Sequence, residues 1–136
     1  MLYRTFNDPT AENAYIVGLL SKRDKAVRVN RIIESAETEP LIELGYADAV
    51  VKVTQTHPVL TKEGLKKAKD LSVNDSVRGA DGVFHKLSKV RDLPVRTGQY
   101  VINFELDVKS NSDNDRLVLS DGIVTGDFAL QLKLSK

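Results

Sequence analysis

One histidine of this chain stands where it could do chemistry. The stretch Val53-Thr54-Gln55-Thr56-His57-Pro58-Val59-Leu60-Thr61 leads β-branched residues up to an imidazole and then to a proline corner, with Thr54 three positions before His57. Imidazole gains and loses its proton near neutral pH, so at a strand end it can serve a reacting group as acid or base. A plainer account fits the same residues: a strand terminus whose hydroxyl and ring satisfy nearby backbone groups.

Other patterns carry less chemistry. His85, between Phe84 and Lys86, has the setting of an ordinary strand residue. Two histidines with no cysteine make a poor zinc set, and no metal or cofactor is expected. Asp113, Asp115 and Asp121 are acidic, but Asp113-Asn114-Asp115 lacks the loop glycine and distal glutamate of a calcium site. Lys62, Lys66, Lys67 and Lys69 are interrupted by Glu63 and Asp70, the pattern of a solvated face. Gly122 and Gly126 flank Ile123-Val124-Thr125, yet neither a lysine nor a helix start is expected where a phosphate cradle needs one.

The elements that must position these residues come from a chain of 136 residues, long enough to bury a core as one domain spanning 1–136. Twenty basic residues against 19 acids leave a net charge of +1, which argues against a dedicated nucleic-acid binder. The absence of cysteine excludes disulfides and thiolate chemistry. No apolar run is long enough for a transmembrane helix, and Met1–Pro9 lacks the apolar core of a signal peptide. A soluble protein is expected, with no membrane partner and no indicated compartment.

Period-two alternation recurs along the chain. Lys25–Ile33, Leu41–Leu44 and Ala49–Thr54 read as strands, the last ending at His57-Pro58. Thr61–Leu71 has Leu65, Ala68 and Leu71 at helical spacing, but is short enough that one helical turn or an irregular loop is expected. Asn74-Asp75, Asp81-Gly82, Thr97-Gly98 and Asp121-Gly122 mark turns. Between and after them Ser76–Arg78, Val83–Val90, Tyr100–Val108, Leu117–Leu119 and Phe128–Leu134 read as strands; Leu130, Leu132 and Leu134 alternate cleanly in the last. Residues 10–22 suit a helix or, over Tyr15–Leu20, a strand. The sum is a mostly β fold of short curved strands and hairpins with little helix.

The order of these blocks resembles the Hint family, the self-processing fold of hedgehog C-terminal regions, inteins and bacterial intein-like modules. The residues that carry it are Thr54-x-x-His57-Pro58-x-Leu60-Thr61; Gly64-x-x-x-Ala68-x-x-Leu71-x-x-Asn74-Asp75-x-Val77; Gly82; Val101–Leu106; and Asp121–Asp127. The resemblance covers roughly Val27 to Gln131 within a matched region 23–136, whereas 1–22 matches poorly. It implies a horseshoe or pseudo-barrel. It also implies single-turnover chemistry: a Cys, Ser or Thr at the first residue attacks the preceding carbonyl while the histidine of the TxxH block protonates the departing nitrogen. A terminal His-Asn pair then breaks the downstream bond by asparagine cyclisation. Carried over, Thr54 and His57 match the TxxH pair, and Gly126-Asp127 stands in the place of His-Asn.

The departures from that pattern are specific. Met1 has no hydroxyl or thiol, and Thr5, Thr10 and Ser21 lack a matched context for a nucleophile. Asp127 replaces asparagine, Gly126 replaces the assisting histidine, and Asp115-Arg116 falls where a second histidine often stands. A degenerate or N-terminally truncated domain is therefore expected, impaired in processing, with Thr54, His57 and Asp127 as vestigial site residues. Its partners would be the flanking segments of a larger polypeptide, and a second copy could cover the seam left by a missing first strand. Two alternatives stay open: an active self-cleaving domain with a non-standard nucleophile, and an unrelated β-barrel binding or structural module of a larger phage or surface protein.

Overall fold

Alternating side chains make most of this chain extended. The computed structural model describes residues 2–3, 15–20, 23–95, 100–107 and 112–135. Its first strands are β1 (Leu2–Tyr3), β2 (Tyr15–Leu20), β3 (Arg23–Ala36), β4 (Ile42–Tyr46) and β5 (Ala49–Val53). Then follow β6 (Pro58–Thr61), β7 (Gly64–Lys67), a 3₁₀ turn Ala68–Asp70, β8 (Ser76–Arg78), β9 (Phe84–Lys86) and β10 (Lys89–Asp92). The last elements are β11 (Tyr100–Leu106), a 3₁₀ turn Asp113–Arg116, β12 (Leu117–Ser120), β13 (Ile123–Gly126) and the helix α1 (Phe128–Leu134).

The strands form one curled, half-barrel sheet in the order β10-β4-β5-β1-β11-β3-β2-β12-β13-β6-β8-β9, with β7 paired to β6. This is the mostly β architecture expected from the alternation. β3 joins the two halves: Arg23–Arg28 pairs with β2, while Val29–Ala36 pairs with β11. Its ladder with β11 slips at Glu105/Leu106, a bulge that lies where the Leu106 backbone meets the candidate site. The Asp121-Gly122 turn between β12 and β13 has both residues at positive φ, 49° and 87°, which matches the twist of a two-residue hairpin.

The main core gathers Ile42, Leu44, Val51, Val53, Val59 and Val77 from both halves of the sheet. A smaller cluster of Leu117, Val124 and Leu130 lies under α1. Burying each such side chain contributes about 1.5–3 kcal/mol relative to exposure. These are the same β-branched and leucine positions that carried the alternation.

Several local expectations are corrected. Phe128–Leu134 is a helix: Asp127 caps it, and Leu130 is buried whereas Leu132 is 52% exposed. A strand would have buried both on one face, so helical spacing prevails over the apparent alternation. A helix start does follow Gly126. Thr61–Leu71 forms the arm of a hairpin before its 3₁₀ turn, because Gly64 at φ 107° closes the β6–β7 connection. Val83–Val90 is two strands divided at Leu87-Ser88, and Ile123–Gly126 is a strand in its own right. Tyr15–Leu20 is a strand; Thr97-Gly98, residues 10–14 and 21–22, and Val108 lie outside the described residues.

β1 bears on the missing first strand. Leu2 pairs with Ile102 of β11 and with Val53 of β5, so Leu2–Tyr3 fills the seam beside the TxxH block. Among the described residues no helix is long and apolar enough to cross a membrane.

Candidate functional site

Thr54 and His57 belong to the turn that ends β5. The His57 N–H donates to the Thr54 carbonyl at 3.2 Å, closing the turn. The 3₁₀ turn Ala68–Asp70 clamps it from outside: Ala68 N–H donates to the His57 carbonyl at 3.0 Å, and Lys69 N–H to that of Gln55 at 2.9 Å. Pro58 then begins β6 with a fixed φ. The backbone of the block is thus held on both sides, and Thr54 is buried within it.

The His57 ring is fully buried, and neither ring nitrogen has a hydrogen-bond partner among the described residues. Burial pushes its pKa well below the usual imidazole value, because the cation would lose its hydration. The Gln131 amide of α1 approaches and works weakly in the opposite direction, without reaching hydrogen-bond geometry. The imidazole is therefore neutral at physiological pH.

Asp127 is also fully buried, but its carboxylate is engaged on every side. Oδ1 accepts from Leu130 N–H at 3.0 Å, the N-cap bond of α1. Oδ2 accepts from Leu106 N–H at 3.0 Å and pairs with the Arg116 guanidinium at 2.9 Å. The Asp127 carbonyl accepts from Gln131 N–H at 3.0 Å, so the Asp127–Phe128 peptide is built into the start of the helix.

Gly126 links the two residues. A Cβ there would lie 2.8 Å from Pro58 Cγ and 2.9 Å from Leu130 Cδ1, so nothing larger than glycine fits between the TxxH turn and α1. The structure therefore sets the turn that holds Thr54 and His57 against Gly126, the residue before Asp127.

Two participants escaped the sequence: Asn103, buried on β11, whose Nδ2 donates to Gln131 Oε1 at 2.8 Å, and Gln131 itself. Arg116 was marked only as the replacement of a histidine. Asp127 three residues before Leu130, ahead of good helix formers, is the N-cap signal that could have found α1.

The remaining candidates sit elsewhere. His85 is half-buried, stacks on Tyr46 with ring centroids 4.4 Å apart, and meets Asp81 Oδ2 through Nε2 at 2.7 Å. A Cβ at Gly79 would strike the Tyr46 hydroxyl, which itself donates to the Gly122 carbonyl at 3.2 Å. Asp113 pairs with Lys133 at 2.8 Å, and Lys66 with Asp75 at 2.8 Å. Among the described residues no group of three or more His, Cys, Asp or Glu side chains could hold a metal ion.

No family model matches the chain, and no curated protein does. Solved structures do. The bacterial intein-like domain from Clostridium thermocellum superposes with a TM-score of 0.65 at 19% identity, over 86% of this chain and 86% of that one. The DnaX mini intein from Spirulina platensis gives 0.63 at 15% identity, over 89% and 87%. The VidaL intein gives 0.61 at 14% identity, over 75% of this chain and 64% of that chain. At these identities the likeness establishes the fold, which is the Hint/intein-like one.

Proposed function

We propose that this Hint/intein-like fold serves as a non-processing structural module of a larger polypeptide. The observation that carries the reading is the state of Asp127. Cyclisation at this position would need a free side-chain nucleophile beside its own carbonyl. Here both carboxylate oxygens are bound and the carbonyl is in the helix. Gly126 leaves no room for an assisting imidazole, and the position of the second histidine holds the arginine that neutralises Asp127. The three departures from the self-processing pattern thus support one another structurally. Random decay of a catalytic site would leave buried charge unpaired, which is costly.

The first half-reaction lacks support as well. Cysteine is absent from the chain, and a neutral imidazole is a weak acid toward a departing nitrogen.

The experiment is to fuse a reporter domain to each end and follow the chain over days, with and without added thiol or hydroxylamine. The fusion is expected to persist as one band. Time-dependent shorter products that vanish in His57→Ala would overturn the proposal and favour a self-cleaving domain with a non-standard nucleophile.

A further inference from the structure

α1 has seven residues, too few to persist as a helix by its own propensity. What holds it is tertiary. At its start stands the Asp127 carboxylate, which also ties it to β11 through Leu106 N–H and to the 3₁₀ turn through Arg116. Along its inner face Leu130 is buried against Gly126, and Gln131 reaches Asn103. Its outer face presents Leu132 and Lys133 to solvent.

Under this helix lies the one described group whose burial is not compensated. Leaving a polar atom unpaired in the interior costs about 1–3 kcal/mol, and water would relieve it at both His57 nitrogens. The strain therefore favours opening on the side where cover is thinnest. β6 and the 3₁₀ turn Ala68–Asp70 are tied in by backbone hydrogen bonds, whereas α1 is tied to the sheet through the side chains of Asp127, Leu130 and Gln131.

We infer that α1 is an intramolecular cover over His57, hinged at Gly126-Asp127, which opens without unfolding the sheet. Lifting it presents a neutral imidazole with both nitrogens unmet and, beside it, the Asn103 amide that Gln131 now occupies. This holds whether or not the chain can cleave itself, since it concerns access to His57 and not bond breakage.

Two measurements on the whole chain test it. The first is native-state hydrogen exchange. The amides of Gln131 and Ser135, bonded to the Asp127 and Gln131 carbonyls, should exchange at least ~10-fold faster than those of the β12–β13 ladder. Exchange of both sets at one common rate would overturn the cover. The second is modification by diethyl pyrocarbonate, read separately at the two histidines. In the native protein His57 should react at least ~10-fold more slowly than half-buried His85. In Leu130→Gly, which loosens α1 and leaves Asp127 and Arg116 in place, the rates should converge while the circular dichroism of the sheet is kept. Should Leu130→Gly fail to fold, Gln131→Ala provides the second variant, and it should raise His57 reactivity without moving that of His85. A folded variant with exchange-labile α1 and protected His57 would show that other elements cover the ring, and the inference would fall.

Discussion

His57 and Asp127 are both fully buried polar groups, joined through the Pro58–Gly126 contact, and the protein treats them in opposite ways. Among the described residues the imidazole has no partner at either nitrogen. The carboxylate has a partner for each oxygen and a guanidinium besides. Burial alone therefore says little about a site residue. A group left unsatisfied is available to something else, while a group fully bonded to its own fold has become structure. On this contrast the Asp127 carboxylate is a clasp between α1, β11 and Arg116, whereas no described residue ties the His57 ring nitrogens to the fold.

The largest test of the contrast is Asp127→Ala. It leaves the Arg116 guanidinium with only its long bond to the Leu106 carbonyl and strands two backbone N–H groups, and should lower stability by about 3 kcal/mol in urea titration. Arg116 keeps some exposure, 22%, which holds the figure below that of a wholly buried pair. A loss under about 1 kcal/mol would show that the clasp is incidental.

Gly126→His asks how much room lies between the TxxH turn and α1. Its Cβ already meets Pro58 and Leu130 under 3 Å, so overpacking should cost about 2 kcal/mol and lower the melting temperature. An unchanged melting temperature would mean that α1 yields freely.

Acid probes the other partner. The folded pKa of His57 lies below its ordinary 6.5, so beneath that pH the unfolded chain takes up a proton that the folded chain refuses. Stability contributed above pH 6.5 is then lost as pH falls, by up to about 1.4 kcal/mol per unit. Asp75, held low by its Lys66 partner, acts in the same direction only at more acid pH. Denaturation between pH 7 and 5 should show the slope in the wild type and not in His57→Leu.

At pH 7.5 His57→Leu removes two unsatisfied polar atoms from a closed space, and should change stability by less than about 1 kcal/mol or raise it. A loss of several kcal/mol would indicate bonded partners for His57 and dissolve the contrast with Asp127.

The sequence made one end of this site far more legible than the other. The TxxH block, β3, β5 and the Asp121-Gly122 turn follow from local pattern: alternation, a proline corner, a dipeptide that tolerates positive φ. The clasp depends on partners that no local pattern links, since Arg116, Leu106 and Asp127 meet only after the sheet has curled. α1 was misleading for a different reason. Leu130, Leu132 and Leu134 alternate with period two, but Leu130 and Leu134 are also four apart and fit one face of a helix. Only the exposure of Leu132 separates the two patterns. β1 was illegible because two residues carry no periodicity at all.

That short strand has a consequence for how the molecule is made. Leu2 lies between Val53 and Ile102, so β1 gains one neighbour about fifty residues after it is made and the other about a hundred residues after. At ordinary elongation speeds the wait for the second neighbour is roughly 5–20 s, during which β1 has an open flank. β1 is thus seated on both sides only once β11 has been made. Any nascent-chain binder, or any domain placed ahead of residue 1, would act on the protein during that interval and decide whether the sheet closes.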